Sequence, residues 1–264
     1  MTITDLPQPN PGRARLLGTA TLLVVAAGSA AGLFLVPADA LQGEVQRLLY
    51  VHVPAAWLAM LSFFVVFVMS VLYLIQRDPK WDLLAVSAAE IGIVFTALAL
   101  VLGSLWGKPT WGVWWTWDPR LTTTAIMLMI YVGYLTVRSF ADDPDKRARW
   151  SAIIGIIGFV DVPIVYLSVL WWRTLHQPPS SPRSMAGEFV YVLLLNVAAF
   201  TLLYVYIMLR RYRLAVAERL FRRQTYQAST AQVIRYPATM KGVPEGCPSI
   251  FYRLSPSGSP CIST

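Results

Sequence analysis

Six long apolar runs separated by short polar segments organise most of the chain. They cover about 16–37, 53–76, 83–106, 121–137, 150–172 and 189–209. A helix needs about 20 mostly apolar residues to cross the hydrocarbon core of a bilayer. All six runs therefore predict transmembrane helices, the short fourth gaining length if Pro119 and Arg120 are included. After about residue 224 the apolar pattern gives way to Ser, Pro, Gly and Thr, a composition that buries no core. The predicted architecture is an all-α integral membrane protein, with a six-span domain over 1–223 and a disordered tail over 224–264.

Composition agrees with that pattern. Of 264 residues, 56% are hydrophobic and 14% charged, against roughly 25% charged in soluble domains. This excludes a soluble globular enzyme, and no classical enzymatic motif is evident. The net charge of +8 would suggest nucleic-acid binding in a soluble protein, but here its distribution reports topology. Arg13, Arg15, Arg77, Lys80, Arg138, Lys146, Arg147, Arg149 and six residues ending at Arg223 fall on one side of the spans. Only Arg47, Lys108, Arg120, Arg173 and Arg183 fall on the other. Positively charged loops stay in the cytoplasm, so both termini are expected there. Ala38-Asp39-Ala40 resembles a signal-peptidase site, yet the run before it exceeds the roughly 7–15 residues of a signal core, and the first span is expected to remain.

This topology places 38–52, 107–120 and 173–188 on the outer face. They contain both histidines of the chain, His52 and His176, and the aromatic run Trp111, Trp114, Trp115 and Trp117. Indoles can settle at the headgroup level as a belt, or four in seven residues can build one platform for a planar aromatic ligand. Asp118 before Pro119 suits the N-cap of the fourth helix, a role compatible with shaping a site. His52, before Val53-Pro54, is expected just outside the second helix, at its N-terminus. His176 is expected at the C-terminus of the fifth, where imidazolium is favoured, which predicts that it is the more easily displaced ligand. Each histidine alone can be an interfacial hydrogen-bonding residue; together with the indoles they match what a heme requires, two axial imidazoles and an apolar wall. Lys108, Arg120, Arg47, Arg173 and Arg183 are candidates for its propionates, with Lys108 and Arg120 flanking the Trp loop.

Two acids lie within spans, Glu90 and Asp161, and intramembrane acids are functional candidates by default. Asp161 precedes Val162-Pro163, a predicted kink, and a packing role is expected for it. Cys247 and Cys261 form no CxxC or CxxCH motif, so neither a redox pair nor thioether attachment of heme is supported.

The run from Trp111 to Thr123, with Trp114-Trp115-Thr116-Trp117-Asp118-Pro119 at its centre, resembles the WWD signature of heme-handling proteins of cytochrome c maturation. Together with Gly107-Lys108-Pro109, Tyr50-Val51-His52-Val53-Pro54-Ala55-Ala56-Trp57 and Trp171-Trp172-Arg173-Thr174-Leu175-His176-Gln177, it resembles the heme exporter protein C family, over about residues 13–222. The resemblance implies a six-span protein of the bacterial inner membrane that holds heme b at its periplasmic face. His52 and His176 would be the axial ligands, and Trp111, Trp114, Trp115, Trp117 and Asp118 the WWD loop. It implies delivery of heme to a periplasmic chaperone, with a small single-span subunit and the permease and ATPase of an ABC transporter as further partners. Two other readings remain: a permease moving heme across the bilayer, and a docking subunit that holds no heme.

Overall fold

Seven α-helices, a π-helical turn and a 3-10 turn make up the described residues, 11–177 and 187–235, in this computed structural model. They are α1 (Pro11–Ala30), the π turn (Ala31–Leu35), the 3-10 turn (Glu44–Leu48), α2 (Leu49–Gln76), α3 (Pro79–Trp111), α4 (Pro119–Phe140), α5 (Pro144–Gly158), α6 (Asp161–Trp171) and α7 (Gly187–Arg235). Six helical stretches are long and apolar enough to cross a membrane: Gly12–Leu35, Glu44–Gln76, Pro79–Trp111, Pro119–Phe140, Pro144–Trp171 and Phe189–Ala228. All six predicted runs are matched. The second and third begin or end well outside the apolar windows, because helix continues into the polar flanks.

Local chemistry sets several boundaries. Three Asp-Pro pairs each open a helix: the carboxylates of Asp78, Asp118 and Asp143 accept backbone N–H bonds from Lys80, Arg120, and Asp145 with Lys146. Proline stands at the first helical position, where no intrahelical donor is needed. The fifth span is broken between Gly158 and Asp161. Pro163 thereby falls in the first turn of α6, where its missing N–H costs no helical bond.

Packing follows membrane rules. α2 and α3 meet along small residues, Ala55, Ala59 and Ser62 against Ala88, Ala89, Thr96 and Ala99, all buried. Close approach of backbones replaces the hydrophobic driving force that is absent in lipid. Hydroxyls of Ser62, Ser87 and Thr96 donate to carbonyls one turn back, satisfying themselves within the helix. Phe63 stacks on Tyr131 at 3.6 Å between ring centroids, tying α2 to α4.

Two ion pairs join the helices. Arg138 of α4 holds Asp82 of α3 through two bonds of 2.5 and 2.9 Å. Glu90, one of the two acids noted within spans, is held bidentately by Arg211 of α7, its second bond 2.8 Å. A partly buried acid within a span is stabilised by such a partner, and the pair with Arg211 gives Glu90 a role in packing α3 against α7. Asn196 of α7 donates to the Gly28 carbonyl of α1 at 2.9 Å. Interhelical bonds of this kind contribute about 0.6 kcal/mol in membranes. Asn196→Leu should therefore lower the thermal midpoint in detergent by no more than roughly 1–3 °C, measured by loss of helical circular dichroism.

The chain divides into two compact units, Met1–Ala217 and Glu218–Thr264. In the second, residues 218–235 are helical, so helix continues past 224, where a tail was expected. Residues 236–264, with Cys247 and Cys261, lie outside the described residues.

Candidate functional site

His52 lies within the first turn of α2, not outside it. The 3-10 turn leads directly into helix at Leu49, and Pro54 sits inside α2. Leu49 and Tyr50 are 2% and 0% exposed and pack with Val36 and Leu193. Burial of these two side chains outweighs the pre-proline preference for extended backbone. The His52 ring stands edge-on to Trp106 of α3, centroids 5.8 Å apart and planes 87° apart. Its Nδ1 is buried without a hydrogen-bond partner. A Cβ at Gly103 would come within 3.2 Å of the His52 Cε1, so a residue without a side chain is what lets the imidazole lie against α3.

The Trp segment is shorter as a loop than its sequence suggested. α3 runs through Pro109 to Trp111 and stops at Gly112, whose φ of +80° only glycine adopts freely. Lys108 folds its Nζ onto the Gly112 carbonyl at 2.8 Å and lies 6.0 Å from the Trp114 ring. The four indoles do not make one wall. Trp111, the last helical residue, faces His176 with centroids 6.5 Å apart. Trp114 and Trp117 are 56% and 82% exposed, and Trp115 packs edge-on against Trp117. The positive φ at Gly112 turns the chain after Trp111, so the platform, one of the two readings of this run, separates into Trp111 on the cavity and the remaining indoles off it. Trp106, which the apolar pattern marked only as the end of a span, takes the place beside Trp111.

Asp118 joins two distant segments. Its Oδ1 accepts the Arg120 N–H at 3.0 Å and caps α4. Its Oδ2 accepts the Thr174 hydroxyl and the Leu175 N–H, both at 2.7 Å. Thr174 in turn accepts the His176 N–H at 3.0 Å. The carboxylate is 7% exposed, and each of its bonds is of the stronger, charge-assisted kind.

His176 lies beyond α6, which ends at Trp171, so it does not sit on a helix terminus. The expectation that this position favours imidazolium is overturned. Burial, and next the positive charge of Arg120, hold its pKa below the ordinary value, although the Gln177 carbonyl and Asp118 oppose the shift. The ring Nδ1 is 2.7 Å from the Gln177 carbonyl oxygen. A carbonyl only accepts, so the proton is on Nδ1 and Nε2 carries a free lone pair.

Both histidines line one cavity of about 520 Å³, with Gln42, Trp106, Trp111 and Arg120 around them. This size lies within the ~300–1,000 Å³ of small-molecule and cofactor sites. Its deeper walls are apolar, formed by residues such as Met60, Ala99, Met127 and Val165. Arg120 is the one Lys or Arg among the residues lining it, with a single 3.5 Å contact to the Tyr166 carbonyl. Lys108, Trp114, Trp115, Trp117 and Asp118 do not line it. Arg47 is engaged with the Leu33 carbonyl and Glu44. Arg173 borders a separate shallow cleft with Trp117 and Thr174, and Arg183 lies outside the described residues. Gln42, which no motif marked, and Gln177, which ends the segment carrying His176, complete the cavity wall.

Residues 12–227 match the family model described as heme exporter protein C. The chain is similar to heme exporter protein C of Bradyrhizobium diazoefficiens, with 40% identity covering 87% of this chain and 91% of that protein. It is similar also to the heme exporter protein C of Haemophilus influenzae, 37% identical over 74% of this chain and 80% of that protein. The heme exporter protein C of Rhodobacter capsulatus is 35% identical, over 76% and 85% respectively. With its six spanning helices and a family match over most of its length, the chain belongs to the heme exporter protein C family.

Proposed function

We propose that the chain holds heme b between His52 and His176 at the periplasmic face of the bacterial inner membrane and delivers it to a periplasmic chaperone during cytochrome c maturation. Family membership carries heme export for cytochrome c maturation, as a multi-pass membrane protein working with an ABC transporter. The observation that carries the finer reading is the shared cavity: two imidazoles from segments far apart in sequence, the three indoles of Trp57, Trp106 and Trp111, and one cation line the same apolar space. A neutral His176 with a free Nε2 is the ligand form that iron takes, and Arg120 is suited to a propionate. The charge bias of the loops supports cytoplasmic termini and an outward-facing WWD loop. Trp114 and Trp117, which are exposed, would then lie on the periplasmic side, where a chaperone and the small single-span subunit can approach.

The test is the visible spectrum and iron content of the purified protein. A six-coordinate low-spin heme near one per chain supports the reading; heme-free protein that still supports chaperone loading in cells overturns it. Within the site the cations should separate: Arg120→Gln weakens heme retention about tenfold, as expected for a charged hydrogen bond. Lys108→Gln, which loses contacts with Gly112 and the Trp114 ring outside the cavity, stays within twofold.

One observation favours a permease reading. The cavity extends from His52 to Met60 on α2, a distance of about 12 Å at 1.5 Å per residue. Vesicles containing this chain alone, loaded with heme on one side, would show transport if that reading holds.

A further inference from the structure

We propose that Gln42 is a positioning residue that straps the two histidine sites together across the cavity, so that heme leaves only when this strap opens. The inference rests on the heme-holding reading above. Gln42 stands in a tight turn: the Leu41 and Gln42 N–H groups both donate to Asp39 Oδ1 at 2.8 Å. The backbones of Asp39 and Gly43 bond to each other at 2.9 and 3.2 Å. This turn holds the Gln42 side chain over the cavity, where it makes two bonds in opposite directions.

Its Oε1 accepts the Trp106 indole N–H at 2.9 Å, and its Nε2 donates to Gln177 Oε1 at 3.2 Å. The orientation is dictated by chemistry, because an indole nitrogen can only donate and the amide oxygen must face it. Beyond Trp106 stands His52, and beyond Gln177 stands His176, whose Nδ1 bonds the Gln177 carbonyl. A continuous line therefore runs His52, Trp106, Gln42, Gln177, His176, and all five residues line the same cavity. His52 is fixed by its helix, whereas His176 sits on a loop positioned by hydrogen bonds and by the facing Trp111 ring. Gln42 is the side chain that references the loop-borne ligand to the helix-borne one. Both bonds join residues of the cavity wall, so they tie the turn at Gln42 to α3 on one side and to the His176 loop on the other.

The test measures heme loss from purified, heme-loaded protein to an excess of a heme-scavenging apoprotein. Gln42→Leu should release heme about tenfold faster, the effect of two neutral hydrogen bonds at roughly 1 kcal/mol or less each, with an unchanged low-spin spectrum before scavenger is added. Trp106→Phe keeps a ring edge beside His52 but loses the N–H, and should accelerate release similarly. The Gln42→Leu/Trp106→Phe double variant should be no faster than either single, because each alone opens the same strap. Should Gln42→Leu fail to fold, Gln177→Leu breaks the other end and carries the same expectation. Release from Gln42→Leu at the wild-type rate, or a double-variant rate equal to the product of the singles, overturns the strap. His176→Gly serves as the control for the underlying reading: if wild type holds heme and His176→Gly changes its spectrum while Gln42→Leu changes nothing, only the strap fails. Wild-type protein without heme removes the reading itself.

Discussion

His52→Gly should empty the heme site, lowering retention by roughly two orders of magnitude, whereas His176→Gly should keep part of its heme and recover with added imidazole. The difference follows from how the two rings are mounted. His52 projects from the first turn of α2, against Trp106 and beside Gly103, so no flexible segment can bring a replacement. His176 sits on a loop beyond α6, positioned by hydrogen bonds, and free imidazole can reach that side. Spectra and iron-to-protein ratios of both variants, with and without imidazole, check this. Abolished retention in His176→Gly with intact retention in His52→Gly would reverse the order.

The same arrangement has a pH consequence. The His176 pKa is lowered, chiefly by burial and then by Arg120, so its imidazole stays neutral to more acidic pH than a free histidine near 6.5. A depressed base costs folded-state stability as pH falls below the unfolded value, and the cost is complete only below the folded one. In heme-free protein, His176 should titrate below 6.5. With two histidines in the chain, ring resonances of the His52→Gly variant report it alone.

Asp118→Ala should weaken heme retention about 10- to 100-fold, the range seen when the outer partners of a metal-ligating histidine are removed. The carboxylate contributes in two ways. One oxygen caps α4, worth about 1 kcal/mol of stability, and the other gathers Thr174 and Leu175 ahead of His176. Asp118→Ser separates the two, because a single hydroxyl oxygen can cap the helix but cannot also hold the loop. Retention in Asp118→Ser should stay as low as in the alanine variant while its thermal midpoint returns toward wild type. Thr174→Val should show a smaller loss, and imidazole should restore the low-spin spectrum in all three. Wild-type retention in Asp118→Ser would leave Asp118 as a cap alone.

Local and additive properties of the chain were sufficient for the six spans, their order and the two histidine-bearing segments. Hydropathy sums over a window, and capping needs only neighbours, so Asp118-Pro119 reads correctly as the start of a helix. Other local readings failed where tertiary packing competes with propensity. Pro54 does not begin α2, because burial of Leu49 and Tyr50 extends the helix through it. His176 does not sit on a helix end, because α6 has already stopped at Trp171. The division of the indoles, with Trp106 and Trp111 on the cavity and Trp114 and Trp117 outside it, depends on the chain turning at Gly112 and on what α3 packs against. Pairings such as Asp118 with Thr174, or Gln42 with Gln177 across 135 positions, have no local signature. What the sequence by itself determined is which segments are long and apolar enough to cross a membrane and which chemical groups lie in the connections between them. Only the tertiary structure decided which of those groups meet, because a hydrogen bond requires angstrom-scale placement that is set by helix packing rather than by residue type.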